Sequence, residues 1–259
     1  MKKIIDSSMH ILITRPQADA AALSVKLQAL GHRTTSCPML TITPTPQARL
    51  PQAQQIAAFA FTSANGVRAF DARVFKTCLL QTQNKNASYQ NKTVYAIGAT
   101  TAAACAQAGF TDIIESTGGV AQFADMILAR PPKGKLIHIT GQHQAGNLCH
   151  LLIEGGIEAE QIMLYRALPR QSLPPDLIAL IQSGSLQQGG VDSVLFYSSR
   201  SADIFCHLAE QAGLSAYLPN MAAICLSPAI AARAARGGFC PIWTAAQPSE
   251  ASLLALLAV

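Results

Sequence analysis

One motif occurs twice in the chain, and this repeat constrains the fold more than any other feature. The segment FTSANGVRAF at positions 61–70 returns as FYSSRSADIF at positions 196–205. In each copy an apolar strand ends in a hydroxyl-rich turn, and a helix follows, which we place at 66–80 and 201–212. Such a corner leaves unpaired backbone N–H groups at the start of the helix, where they can bind an anion.

The repeat extends beyond this motif. HILITRPQ (10–17) is echoed by LIHITGQH (136–143), and VYAIGATTAAACAQAGF (94–110) is echoed by AAICLSPAIAARAARGGF (222–239). The helix and connector that follow the first block, ending in CPMLTITP, have a counterpart ending in IMLYRALPR. Four blocks in the same order indicate two related half-chains.

Apolar strands alternate with helices along the whole chain, which predicts an α/β fold with parallel sheets covered by helices on both faces. The exception is 41–52, TITPTPQARLPQ, whose three prolines predict an extended connection that is neither helix nor core strand. In doubly wound sheets, ligands bind at the carboxyl ends of the strands, which is where the repeated turns lie.

Composition narrows the classes of function. The 259 residues suffice for two domains, and half of them are hydrophobic. The net charge of +5 comes with no basic run longer than Lys2-Lys3, so we expect no nucleic-acid partner. Seven cysteines without a C-x-x-C pair indicate reduced thiols and a cytoplasmic protein. The sequence shows no signal peptide and no apolar stretch long enough to cross a membrane.

The turns at the strand ends supply the candidate binding residues. One helix start stabilises a carboxylate by only about 0.3–1 kcal/mol when exposed, so a ligand held in this way must carry many carboxylates. The alternative is that the Ser and Thr residues are ordinary N-caps. The candidates are Thr14, Arg15, Ser63, Asn65, Gly98, Thr100, Thr101, Thr140, Gly141, Ser198, Ser199, Arg200 and Ser227.

Other residues leave alternatives open. Arg15, Arg166 and Arg200 lie near turns, where they either clamp carboxylates or stay solvated. Tyr165 lies in an otherwise aliphatic connector, where it either packs or donates a hydrogen bond to a ligand. The cluster His138, His143, Cys149 and His150 has no zinc-site spacing, so we predict no metal.

Several segments together resemble the uroporphyrinogen-III synthase family: ILITRP, FTSANGV, VYAIGATTA followed by AGF, HITG, and a connector of the form I-x-x-Y-R-A-x-P. The resemblance implies two flavodoxin-like α/β domains with doubly wound parallel sheets, internally duplicated and joined by a two-stranded β linker. Domain one would comprise 1–39 and 171–259, domain two 48–163, and the linkers 40–47 and 164–170.

The resemblance also implies a cyclising hydro-lyase of haem biosynthesis that acts without a cofactor or metal. Such an enzyme closes the linear tetrapyrrole hydroxymethylbilane with loss of water and inverts ring D, through an azafulvene and a spiro intermediate, to give uroporphyrinogen III. We expect a monomer, because nothing in the sequence demands more than one chain, and a transient contact with the preceding enzyme of the pathway.

Residue by residue, Tyr165 matches the tyrosine that the family is proposed to use in the departure of the hydroxyl, and Thr101 matches a threonine of its cleft. Ser63 and Ser198 match the strand-end positions. The sequence departs from the Gly-x-x-Thr pattern of many members at Ser227-Pro228-Ala229-Ile230. A non-catalytic, two-domain binding protein for a polycarboxylate is the alternative function. A nucleotide-binding transferase would require a phosphate loop, and the chain has no G-x-x-x-x-G-K-[ST] motif.

Overall fold

The computed structural model describes residues 8–45, 48–79, 89–142, 146–184 and 189–258. These residues form strands β1 (His10–Ile13), β2 (Arg33–Ser36), β3 (Leu40–Pro44), β4 (Ala58–Phe61), β5 (Thr93–Ile97), β6 (Ile113–Ser116), β7 (Leu136–Gly141), β8 (Ala159–Pro169), β9 (Ser193–Phe196), β10 (Ala222–Cys225) and β11 (Ile242–Thr244). The helices are α1 (Gln17–Ala29), α2 (Ala64–Leu79), α3 (Ala99–Gln107), α4 (Val120–Ala129), α5 (Leu148–Glu154), α6 (Pro175–Gln182), α7 (Ser199–Gln211), α8 (Pro228–Arg236) and α9 (Glu250–Leu254).

The chain divides into two compact units, and the first comprises Met1–Thr41 and Leu168–Val259. Its sheet has the order β11-β10-β9-β1-β2, and all its pairings are parallel. Leu12 of β1 faces a core made with α6, α7 and α8, whereas Ile11 and Ile13 face α1 and α9 on the other side. This sheet is covered by helices on both faces, as the alternating pattern predicts.

The second unit, Ile42–Ala167, has the sheet order β3-β8-β7-β4-β5-β6. The pairings among β8, β7, β4, β5 and β6 are parallel. Helices α2 and α3 pack on one face around Phe59 and Phe61, and α4 and α5 pack on the other around Ala58 and Ala60. Both points at which the chain passes between the units fall inside the segments that we predict as linkers.

The mixed α/β class with parallel sheets is confirmed, and the segment 41–52, which we predict as an extended connection, begins in an edge strand. Residues Leu40–Pro44 form β3, which pairs with β8 at the edge of the sheet. Thr45 N donates to Leu164 O at 2.8 Å and Thr43 Oγ1 to Arg166 O at 3.3 Å, so the two strands run antiparallel. An edge strand tolerates proline because one side of it needs no ladder hydrogen bonds. Positions 46 and 47 lie outside the described residues.

Each unit carries a buried triad of phenylalanine rings at positions that the sequence repeat matches. In the second unit the Phe61, Phe70 and Phe110 ring centroids lie 5.7–6.0 Å apart. In the first unit Phe196, Phe205 and Phe239 are separated by 5.6–5.9 Å. Each ring is at most 4% exposed, so each stabilises its unit by roughly 1.5–3 kcal/mol through burial alone.

The repeated strands also occupy matching places in the two sheets. Each sheet reverses its strand order once, between β1 and β9 in the first unit and between β7 and β4 in the second. The sequence repeat pairs β1 with β7 and β9 with β4. The carboxyl ends of these strands flank the point at which doubly wound sheets bind their ligands. Among the described residues, no helix has the length and apolar character needed to cross a membrane.

Candidate functional site

Ser63 lies in the turn between β4 and α2 and caps α2. Its hydroxyl oxygen accepts the Gly66 N–H at 3.3 Å, and its carbonyl accepts the same N–H at 3.0 Å. This N-cap starts the helix at Ala64, two residues before the predicted position. Asn65, in the first turn, is half-buried. The described contacts of Ser63 at this corner include ordinary N-capping.

Tyr165 lies against the same corner. Its hydroxyl is 2.9 Å from the Ser63 hydroxyl, and the residue is only 9% exposed. The register between β7 and β8 shifts between Thr140 and Gly141, which places Tyr165 opposite Gly141. A β-carbon on Gly141 would lie 2.6 Å from the tyrosine ring, so only glycine permits this packing. Tyr165 therefore both packs and makes a hydrogen bond at the end of the strand.

The remaining candidates of the second unit lie at the start of α3 or in β7. Gly98 precedes α3 with φ of 77°, which favours glycine, and a β-carbon there would meet no atom within 4 Å. Thr100 is exposed, whereas Thr101 is 4% exposed. Thr140 is buried, and its hydroxyl has no hydrogen-bond partner among the described residues.

In the first unit the hydroxyls of Thr14 and Ser198 make hydrogen bonds within the protein. Thr14 is fully buried and donates to the Leu195 carbonyl at 2.7 Å. Ser198 caps α7: its oxygen accepts the Ser201 N–H at 3.1 Å and its hydroxyl donates to Ser201 Oγ. Helix α7 therefore starts at Ser199 rather than at the predicted 201. Ser227 precedes Pro228 at the start of α8 and makes no side-chain cap bond.

Arg15 is held within the first unit. Its guanidinium donates to Glu250 Oε2 at 2.9 Å, pairs with Asp19 at 3.2 Å, and lies 4.2 Å from the centre of the Tyr197 ring. Lys26 also pairs with Glu250, at 2.5 Å. Burial raises the pKa of Glu250, but the hydrogen bond and charge of Lys26 and the charge of Arg15 outweigh it, so the net pKa is lowered. Arg200 is half-buried and Arg166 is exposed.

The histidine and cysteine cluster does not form a metal site in the part of the chain that the structure describes. No group of three or more His, Cys, Asp or Glu there could hold a metal ion, and His143 lies outside that part. His138 Nδ1 is 3.8 Å from Cys149 Sγ, whereas His150 pairs with Glu154. Burial lowers the pKa of His138 to about 4 and raises that of Cys149 to about 11.

The structure thus brings Ser63, Gly141 and Tyr165 into direct contact within one unit. The sequence reasoning missed Glu250 and Tyr197, which engage Arg15. Glu250 lies 235 positions from Arg15, and no local pattern links them. Tyr197 precedes Ser198 at the end of the repeated strand, so the repeat marks its position but not its contact with Arg15.

Comparison with known proteins is consistent across sequence and structure. The family model described as uroporphyrinogen-III synthase HemD matches residues 21–255. The uroporphyrinogen-III synthase of Chlorobaculum parvum is 26% identical over 200 residues, covering 75% of this chain and 77% of the relative.

Two solved structures share the fold. Uroporphyrinogen-III synthetase from Helicobacter pylori has a TM-score of 0.62 at 18% identity, with 96% of this chain and 97% of the other covered. A mutant uroporphyrinogen III synthase from Thermus thermophilus has a TM-score of 0.52 at 18% identity, with 96% of each chain covered. Because the family model matches most of this chain, the chain belongs to the uroporphyrinogen-III synthase family.

Proposed function

We propose that the protein is the uroporphyrinogen-III synthase of tetrapyrrole biosynthesis, a cyclising hydro-lyase whose substrate is hydroxymethylbilane. The family match over residues 21–255 is the observation that carries this function. In the proposed reaction the terminal hydroxyl leaves as water, the macrocycle closes and ring D is inverted.

The chemistry of the substrate fits the strand-end donors. Each pyrrole ring of hydroxymethylbilane carries an acetate and a propionate, and one helix start binds a carboxylate only weakly. Such a substrate therefore calls for several helix starts, and each unit offers two that follow strands of its sheet: α2 and α3 in the second unit, α7 and α8 in the first. In each unit one of them, α2 or α7, follows a strand that flanks the switch point of the sheet.

Tyr165 is the group that we assign to the departing hydroxyl. A phenol can donate a hydrogen bond to that oxygen as the carbon–oxygen bond breaks, which leaves water and an azafulvene. Ring D then attacks through its substituted carbon to form a spiro intermediate, which fragments and closes again. The catalytic contribution of the protein is mainly to hold the chain folded and to exclude water.

The further features of this proposal are an internally duplicated chain with two flavodoxin-like domains, a monomeric state, a cytoplasmic location and a transient contact with the preceding enzyme. The two phenylalanine triads support the duplication, because the sequence repeat pairs their members one by one. The binding roles of the strand-end residues are part of the same proposal.

The test is to incubate the purified protein with enzymatically generated hydroxymethylbilane and to separate the uroporphyrin isomers after oxidation. We expect the type III isomer, formed in proportion to the amount of protein. Heat-denatured protein is the control, since hydroxymethylbilane closes spontaneously to the type I isomer. Type I alone would favour the alternative, a polycarboxylate-binding protein without catalytic activity.

A further inference from the structure

Ser63 and Tyr165 are 102 positions apart in sequence, yet their hydroxyl oxygens are 2.9 Å apart. Ser63 follows β4 and Tyr165 lies in β8, with β7 between these strands. The contact therefore crosses one strand at the end of the sheet. It links Tyr165, the side chain that we assign to the departing hydroxyl, to Ser63, the N-cap of α2.

The second contact of Ser63 leaves its hydroxyl proton unused. The Gly66 amide can only donate, so the Ser63 oxygen accepts there at 3.3 Å. The single hydroxyl proton of Ser63 is then free to point at the Tyr165 oxygen. In that arrangement the phenolic proton of Tyr165 remains available for a ligand oxygen.

The backbone and ring of Tyr165 are fixed by other groups. Gln142 N donates to the Tyr165 carbonyl at 3.1 Å, and the ring lies over Gly141, where even a β-carbon would clash. These contacts fix the ring but leave the direction of the phenolic O–H open. Ser63 is the partner that the structure gives to that end of the side chain.

The geometry points to Ser63 as a positioning residue for Tyr165, a role that differs from direct binding of substrate. This inference rests on the proposed function. Ser63 holds the phenolic oxygen in place and directs its proton away from the protein. Loss of this one hydrogen bond should lower kcat about two- to tenfold, with a smaller change in KM.

A double-mutant cycle tests the inference. The rate of type III formation from hydroxymethylbilane is measured for the wild type, Ser63→Ala, Tyr165→Phe and the double variant. If Ser63 acts through the phenol, Ser63→Ala causes no further loss once the phenol is absent. Loss factors that multiply in the double variant would overturn the inference, as would full activity of Tyr165→Phe.

Two further variants separate positioning from helix capping. Ser63→Thr keeps both the cap and the hydroxyl and should restore most of kcat. Ser63→Asp keeps a good N-cap but has no proton to donate when ionised, so it should match the stability of the wild type in urea while kcat stays low.

Wild-type turnover of the Asp variant would show that the donated proton is unimportant and would overturn the role. A wild type that makes no type III isomer would instead defeat the proposed function, and this inference with it. An active wild type with multiplying losses would defeat the inference alone.

Discussion

The position of the Tyr165 ring depends on Gly141, which has no side chain. The shift in register between β7 and β8 brings the tyrosine ring over Gly141, and the ring occupies the space that a β-carbon would need. The sequence alone indicates a glycine in a turn and a tyrosine in a connector. The bulge that brings them together depends on how two strands align, and one residue of slip would turn the tyrosine to the other face of the sheet.

Gly141→Ala should therefore displace the Tyr165 ring from Ser63. We expect a loss of stability of about 1–3 kcal/mol from overpacking and a fall in type III formation. Urea unfolding and isomer analysis measure the two effects. Gly119→Ala is the matched control, because a β-carbon there would meet only the flexible end of Gln122, at 3.3 Å. Equal effects of the two substitutions would contradict the steric argument.

At the scale of elements, the sequence repeat predicts the two corners well because the signal is local. A strand end, a Ser and a helical pattern within ten residues suffice to place Ser63 and Ser198. The predicted helix starts were two residues late because the capping serines, rather than the residues after the turns, define where the helices begin. The prolines of 41–52 give no strand signal of their own, so the residues alone predict only an extended connection there, and the β linker that contains edge strand β3 is implied by the family resemblance.

Ser198→Ala should destabilise the protein by about 1 kcal/mol, because the Ser201 amide at the start of α7 loses its partner. Ser227→Ala makes a matched control, since Ser227 has the same place before α8 but makes no cap bond. We expect that change to stay within about 0.5 kcal/mol. The midpoints of urea unfolding compare the two variants, provided that the dependence of the unfolding free energy on urea is the same. A larger loss of stability in Ser227→Ala than in Ser198→Ala would contradict the capping role of Ser198.

Glu250, the first residue of α9, forms ion pairs with Arg15 and Lys26 of the first unit. Glu250→Gln should lower the free energy of unfolding by about 1 kcal/mol, discounted for partial exposure, and the difference should shrink in salt. Because the pKa of Glu250 is lowered, its contribution is present above about pH 4.5 and is lost as the pH falls through the folded-state pKa. Glu154→Gln, at an exposed pair with His150, is the control, and a salt-independent loss at Glu250 would contradict this account.

At the scale of the whole molecule, two buried histidines make stability depend on pH. Burial lowers the pKa of His138 to about 4 and also lowers that of His10. Below about pH 6.5 these two histidines become protonated in the unfolded chain but stay neutral in the folded chain. The free energy of unfolding therefore falls as the pH drops. For His138 the loss accumulates between pH 6.5 and 4 and reaches about 3 kcal/mol.

His138→Leu should flatten this part of the stability profile, while the contribution of His10, whose pKa is also lowered, remains. Urea unfolding between pH 4 and 8 measures it. His150→Leu is the control, because the His150 side chain is 61% exposed. An unchanged slope in His138→Leu would show that the imidazole is already protonated in the folded protein.

The ladder between β3 and β8 has a practical consequence for protein engineering. Thr45 N donates a 2.8 Å hydrogen bond to Leu164 O, and both residues lie near an end of the second unit. In the first unit Arg170 N donates to Met39 O. A fragment spanning 42–167 would keep the Ser63–Tyr165 pair in one uninterrupted polypeptide. The other unit, by contrast, could be produced alone only by splicing residue 41 to residue 168 with a short synthetic bridge.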